Sequence, residues 1–251
     1  MSGRRILIAG VALSVMATAT AAPPAAKVED TMAQRVQACT GCHGPQGRAA
    51  SDGYYPRIAG KPAGYLYNQL IAFRDGRRQY GLMNQLLAPL TDDYLREIAQ
   101  HFAGLDVAYP KPQVATASVD ALSRGEALVL HGDAARGIPA CVQCHGEALL
   151  GVAPAVPALI GLPRDYLNAQ LGAWRTGNRQ ALAPDCMAQI AKALAPQDIG
   201  ALSQWLAAQP VSAGATAAVE AHGASTARPV IRCGSRPDAG VAPAANSGLK
   251  R

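Results

Sequence analysis

The sequence is poor in aromatic side chains, in charge and in long apolar runs. Aromatic residues make up 5% of the 251 positions and charged residues 16%, while 49% are hydrophobic. That hydrophobic share excludes a wholly disordered chain. The longest apolar run, Ile6 to about Ala17, is too short to span a bilayer with ease, which excludes a multi-span membrane protein. A chain of this length forms one large or two small domains. Small cores with so few aromatic rings usually need a disulfide, a metal or a cofactor for stability.

The first 21 residues have the pattern of a secretory signal peptide. Arg4 and Arg5 precede the apolar run, and Ala19-Thr20-Ala21 offers a small-x-small cleavage site after it. We expect residues 1–21 to be removed and the mature chain to lie in the periplasm, an oxidising space. An uncleaved membrane anchor is the alternative, and the protein otherwise meets the membrane only through its partners.

The net charge of +6 lies mainly in the two ends of the chain. Residues 22–210 hold 16 basic against 15 acidic side chains. The centre has no basic stripe interleaved with aromatic residues, so no nucleic-acid partner is expected.

The chain contains one pattern twice, at a nearly constant offset of 101 or 102 residues. This self-similarity predicts two copies of one domain. The matching blocks are Cys39–Gly44 with Cys141–Gly146, 55–62 with 156–163, and 65–78 with 166–179. We expect a first domain at 22–108, a proline-containing linker at 109–118, a second domain at 119–210 and a disordered tail at 211–251.

Helical periodicity dominates both copies. Leu66, Leu70 and Phe73 fall on one helix face, as do Leu95, Ile98 and Phe102. Further predicted features are an N-cap at Thr91, Pro196 at a first helical position, and a helix from Asp120 to about His131 that starts near Ser118. No strand alternation is present, so the predicted fold class is all-α.

The chemistry lies in the repeated Cys-x-x-Cys-His motif. Two thiols one helical turn apart can form thioethers to one edge of a haem, and the adjacent imidazole can bind its iron. We therefore predict covalent haem attachment at Cys39, Cys42, Cys141 and Cys144, with His43 and His145 as iron ligands. A four-thiolate zinc site, ordinary disulfides and a thioredoxin-like redox pair are the alternatives.

Methionine is scarce, and this narrows the choice of a sixth iron ligand. Met1 and Met16 lie in the signal, and Met32 is expected on the same helix as Cys39, badly placed for the opposite haem face. Met83 and Met187 remain, at equivalent positions 40 and 42 residues after the histidines. His/Met ligation leaves no open site and favours electron transfer. The rival ligands are His101 and His131, while His222 lies in the tail.

Other residues are expected to tune the two sites. Pro56 and Pro157 follow the motifs at similar distances, where a backbone carbonyl can accept from the histidine ring. Five arginines are candidates to pair with haem propionates: Arg57, Arg74, Arg78, Arg175 and Arg179. Cys186 and Cys233 are left over and either pair with each other or stay free or intermolecular thiols.

Both halves resemble class I cytochrome c domains, and the tandem is similar to the c4-type dihaem cytochromes over about residues 30–208. The resemblance implies one covalent haem c per domain, with His43/Met83 and His145/Met187 as the axial pairs. It also implies electron relay from a quinol-oxidising complex or a dehydrogenase to a terminal oxidase. The chain departs from the pattern in three places: the first copy lacks a glycine matching Gly125, Cys186 lies beside Met187, and the C-terminal tail has no counterpart in the family.

These observations favour a periplasmic dihaem electron carrier, and not an enzyme, as a monomer or weak dimer. Two alternatives stay open at this point. A dihaem peroxidase-like enzyme would need one iron with a displaceable ligand, and a haem subunit of a dehydrogenase complex would differ only in the permanence of its partner.

Overall fold

The computed structural model describes residues 29–49, 53–212, 214–217 and 233–234. The predicted signal peptide, His222 and most of the predicted tail lie outside these residues. The helices of the first half are α1 (Met32–Arg35), α2 (Gln37–His43), α3 (Ala63–Arg74), α4 (Gly81–Leu87) and α5 (Asp92–Ala103). Those of the second half are α6 (Val119–Leu130), α7 (Val142–His145), α8 (Arg164–Thr176), α9 (Cys186–Ala193) and α10 (Pro196–Ala207).

The all-α fold class holds, and the structure adds one short hairpin to it. Strand β1 (Gly151–Val152) pairs antiparallel with β2 (Val156–Pro157) in the second half. Two-residue strands are too short to show alternation in a sequence. A side chain at Gly151 would come within 2.4 Å of the Val156 carbonyl oxygen, so this close pairing requires glycine.

The first half packs α3 against α5 around Tyr67, Ile71, Leu95 and Phe102, which are almost fully buried. Thr91 caps α5 as predicted, because its hydroxyl accepts from the Tyr94 N–H. The helix expected to carry both Met32 and Cys39 is interrupted. Val36 leaves helical geometry and separates α1 from α2.

In the second half, α6 crosses α10 at close range. A Cβ atom at Gly125 would lie 2.4 Å from the Ala201 carbonyl oxygen, so only glycine allows the two backbones to approach this closely. Ser118 caps α6 through the Ala121 N–H, and Pro196 is the first residue of α10. Both features match the sequence prediction.

The two halves meet through a reciprocal backbone contact. The Gln79 N–H donates to the Asn178 carbonyl at 2.7 Å, and the Gln180 N–H donates to the Arg77 carbonyl at 2.8 Å. These four residues are equivalent in pairs, so the repeated segments face each other as in a two-fold dimer.

The connection between the halves is attached to both of them. The Arg57 guanidinium donates to the carbonyls of Ala59, Val107 and Ala108 and stacks 4.1 Å from the Tyr109 ring centroid. The Gln113 N–H donates to the Ala207 carbonyl at 2.9 Å. Within the described part of the chain, none of the helices combines the length and apolar character that a membrane span needs.

Two candidate haem sites

A cavity of about 250 Å³, lined mainly by the second half and in part by the first, brings the predicted site residues of the second half together. Cys141, Cys144, His145 and Met187 all line it. Cys141 directly precedes α7, Cys144 and His145 lie in α7, and Met187 is the second residue of α9. The spacing therefore predicted this set, and the fold joins it in one place.

His145 is buried and oriented by a backbone carbonyl. Its Nδ1 lies 2.8 Å from the Pro157 carbonyl oxygen, as expected for a ring N–H that donates there. Burial lowers the pKa of His145, although the carbonyl contact opposes this. A neutral imidazole with its Nδ1 occupied leaves Nε2 free to bind a metal.

The first half repeats this arrangement. His43 is buried, and its Nδ1 lies 2.8 Å from the Pro56 carbonyl oxygen. Burial is again the main cause that lowers the pKa of His43, and the positive charge of Arg78 adds to it. Met83 on α4 and Cys39 on α2 both pack against the core of this half.

None of the four motif cysteines pairs in a disulfide with another described residue. Burial raises the pKa of Cys39 and Cys144, and it raises the pKa of Cys141 to about 11. Among the residues that the structure describes, no three His, Cys, Asp or Glu side chains group as metal ligands would. The four-thiolate alternative therefore has no site in that part of the chain.

The rival histidines lie elsewhere. His101 is in the last turn of α5, with its ring against Phe102, and His131 is exposed just after the end of α6. Neither lines the cavity of the second half. Met187 does line this cavity, so it is the candidate sixth ligand there beside His145.

Three of the five candidate arginines are held by protein groups. Arg57 binds carbonyls near the linker, as described above. Arg74 donates to Asp92 at 2.6 Å and to the Leu90 carbonyl at 3.1 Å. Arg175 donates to the carbonyls of Ala191 and Leu194 at the end of α9. Arg74 thus connects α3 to the start of α5, Arg175 connects α8 to the end of α9, and Arg57 connects its loop to the chain that enters the linker.

The other two arginines form a buried cluster between the halves, which the sequence analysis did not predict. Arg78 donates to Gln69 at 2.9 Å and to Gln170 at 2.6 Å, and Arg179 donates to Gln170 at 2.8 Å and to Gln69 at 3.0 Å. We call this set, with the tyrosines that complete it, the junction cluster. Its members are Tyr65, Gln69, Arg78, Tyr166, Gln170 and Arg179. Tyr65, Gln69 and Arg78 recur at equivalent positions as Tyr166, Gln170 and Arg179, and this recurrence was the sequence signal that could have indicated the cluster.

The junction cluster carries the positive charges of Arg78 and Arg179, and Lys61 interacts with both of them and with Tyr65. Burial raises the pKa of Tyr65, but the charges of Arg179, Arg78 and Lys61 outweigh it and lower the pKa to about 8. Lys61 and Arg179 are buried, and desolvation lowers the pKa of each. Among the described residues, no carboxylate forms an ion pair with Lys61, Arg78 or Arg179. Buried cations of this kind call for an anion.

These features fit a haem. The second cavity is mostly apolar and presents two thiols, an imidazole and a thioether, which are the groups that hold a c-type haem. Lys61 and Arg179 line the same cavity and would meet its propionates. Trp174 lines it too, with a buried Nε1 that has no hydrogen-bond partner among the described residues. An anionic oxygen there would satisfy this donor.

Known proteins resemble the chain over both halves. A "Cytochrome c4" of Pseudomonas aeruginosa is 35% identical over 170 residues, covering 67% of this chain and 82% of its own. The chain belongs to the cytochrome c4 family. A "Thiosulfate dehydrogenase electron acceptor" of Thiomonas intermedia is 37% identical over 174 residues, covering 69% of this chain and 79% of its own. No model in a scan of protein families matches.

A solved cytochrome c4 confirms the architecture. The reduced recombinant protein of Pseudomonas stutzeri superposes with a TM-score of 0.61 and 29% identity, covering 70% of this chain and 95% of that one. The present chain therefore folds as two tandem class I cytochrome c domains, and it carries two covalent haem c groups. The protein is an electron carrier and not an enzyme.

Proposed function

We propose that each half holds its haem through the residues of the repeated pattern. Cys39 and Cys42 form the thioethers in the first half, and Cys141 and Cys144 in the second. His43 with Met83, and His145 with Met187, are the axial pairs. The observation that carries this proposal is the cavity of the second half, where the four residues meet. A haem with two protein ligands supplies one-electron storage on its iron and no open site for a substrate.

The chain's own residues set how each haem holds its electron. The carbonyls of Pro56 and Pro157 fix the ring orientation of the two histidines, and they raise the basicity of the iron-binding nitrogens. The apolar cavity wall around Met187 would exclude water from an iron bound there. Lys61, Arg78 and Arg179 stabilise negative charge between the halves. Haems held in this way would exchange electrons across the junction between the halves, where the junction cluster lies.

The donor we propose is a thiosulfate-oxidising dehydrogenase in the periplasm. Support comes from relatives in Thiomonas intermedia and Stutzerimonas stutzeri, 37% and 38% identical, that are named as its electron acceptors. The acceptor we propose is a terminal oxidase. A quinol-oxidising complex is the alternative donor, since relatives named only cytochrome c4 match a similar share of the chain, 67%.

A reduction assay tests the donor directly. The oxidised dihaem protein is mixed with purified thiosulfate dehydrogenase and thiosulfate, and the haem absorption is followed by stopped flow. We expect both haems to be reduced at a rate that depends on enzyme concentration and falls with salt. Reduction by a quinol-oxidising complex, with none by the dehydrogenase, would contradict this donor. The matched control omits thiosulfate.

A further inference from the structure

The segment that carries Met83 is held by one asparagine. The Asn84 Oδ1 accepts from the Tyr80 N–H at 2.8 Å, and its Nδ2 donates to the Arg78 carbonyl at 2.9 Å. These bonds connect the start of α4 to the chain that leads into it. The residue at the equivalent position of the second half is Ala188, which has no group that could replace them.

The corresponding segment of the second half is also longer. Three extra residues lie between Arg179 and α9, and a longer loop costs more conformational entropy to hold in place. Asp185 offsets part of this cost. One of its carboxylate oxygens accepts from the Ala188 N–H at 3.0 Å and the other from the Ala181 N–H at 2.6 Å. These two hydrogen bonds join the two ends of the loop. Residues 182–184 between them are held by other contacts.

Those contacts come from far along the chain. Cys186, the first residue of α9, forms a disulfide with Cys233, 47 residues away. The Gly234 N–H then donates to the Pro184 carbonyl at 2.8 Å. A Cβ atom at Gly234 would lie 2.4 Å from the Leu182 carbonyl oxygen, so the residue lies against the loop with no room for a side chain.

The same residues border the second cavity. Cys186, Cys233 and Gly234 line it together with Met187, which follows Cys186 directly. The disulfide therefore closes the wall of the cavity at the residue next to the proposed iron ligand. The equivalent of Cys186 in the first half is Leu82, whose side chain is 62% exposed.

We propose that Cys186, Cys233 and Gly234 form a clamp that positions Met187 on the second iron. We call these three residues the tail clamp, and the proposal rests on the His145/Met187 ligation given above. The clamp fixes the first turn of α9 and the loop before it, and so performs for Met187 what Asn84 performs for Met83. Without it, the loop opens more often and Met187 leaves the iron more often.

Cyanide binding to the oxidised holoprotein measures this opening, because cyanide reaches a ferric iron only when the methionine has left. The far-red methionine–iron(III) charge-transfer band reports each haem's ligation. In the C186A/C233A variant, we expect the second haem to bind cyanide about tenfold faster or more, since the open population rises when the constraint is lost. The first haem should keep its rate. Leu82→Ala is the matched control and should change neither haem.

Gly234→Ala provides a second test that keeps the disulfide. The added methyl group has no space against Leu182 and Ala183, so cyanide binding at the second haem should again accelerate, by a smaller factor. Covalent haem content is measured for each variant. If the double variant fails to mature, the result for Gly234→Ala decides.

Two results would overturn the clamp, and they differ. An unchanged cyanide rate at the second haem, in whichever variants mature with both haems, would show that the tail residues do not position Met187. A second-haem band that survives Met187→Ala would show that Met187 is not the ligand, and the proposed ligation would fail with the clamp.

Discussion

In both halves, the histidine of the haem motif places its Nδ1 2.8 Å from a proline carbonyl, at Pro56 in one half and at Pro157 in the other. The methionine segments are held differently: Asn84 supports one, and Asp185 with a disulfide supports the other. The two halves thus share the carbonyl contact that orients the histidine ring. They differ in the contacts that hold the segment carrying the methionine.

The surroundings of the two sites also differ. Tyr54, Tyr55 and Tyr80 group near His43, and the Tyr55 ring centroid lies 6.1 Å from that of His43. The second half has Val156 and Ala181 at the positions of Tyr55 and Tyr80. A polar, ring-rich wall at one site and an aliphatic wall at the other give two sites with the same proposed ligands and different environments. We expect the two haems to have different reduction potentials for this reason.

The largest expected effect is the loss of one haem at a time. The C141A/C144A variant should carry one covalent haem in place of two, because its second half can form no thioethers. The C39A/C42A variant should do the same for the first half. Pyridine haemochrome absorbance per chain gives the ratio. Loss of both haems from either variant would show that the halves do not mature independently.

Gly125→Ala tests the close helix crossing that the second half has. The methyl group would meet the Ala201 carbonyl at 2.4 Å, so we expect a loss of about 3 kcal/mol in the free energy of unfolding of that half. Gly200→Ala, on the partner helix, is the matched control. Its Cβ meets nothing within 4 Å and should stabilise α10 by about 0.5–1 kcal/mol. Denaturant unfolding that shows equal effects for the two variants would contradict the account.

The junction cluster predicts equal effects from its two arginines. Arg78→Ala and Arg179→Ala each remove charged hydrogen bonds to Gln69 and Gln170, so each should cost about 2 kcal/mol. Each should also slow electron transfer between the haems, which pulse radiolysis of half-reduced protein can follow. A large effect from one arginine and none from the other would show that the two-fold symmetry of the contact is not functional.

Asp198 gives the second half an acid sensitivity that its equivalent in the first half, Tyr94, cannot give. Burial raises the pKa of Asp198, but hydrogen bonds from Arg136 and Arg124 outweigh burial and hold the pKa below its ordinary value of 3.8. The stability due to its charge is therefore full above that value and is lost as pH falls below it. Asp198→Asn should cost about 1 kcal/mol at pH 7. The difference from the parent should shrink below about pH 4, as thermal unfolding can show.

Local signals in the sequence predicted the parts of the fold that depend on neighbouring residues. The caps at Thr91 and Ser118 and the proline at the start of α10 are one-turn interactions, and the structure confirms them. The repeat predicted two domains, and the spacing from motif to proline predicted the carbonyl contact at each histidine.

Contacts between distant residues could not be predicted in this way. Arg78 and Arg179 were candidates for propionates, but nothing in either segment indicated that Gln69 and Gln170 would join them from opposite halves. The hairpin at Gly151 was missed because two residues carry no periodicity. The disulfide at Cys186 was one of two open possibilities, since pairing depends on how close the fold brings two thiols.

The most direct test of the proposed His/Met ligation is the far-red methionine–iron(III) charge-transfer band of the oxidised dihaem protein, quantified per haem. The account predicts a band for each haem, with Met83→Ala removing one and Met187→Ala removing the other. A band in the parent protein with the intensity expected for one haem, or a high-spin iron signal, would show that one haem is open or differently ligated. That result would contradict two closed electron-transfer sites.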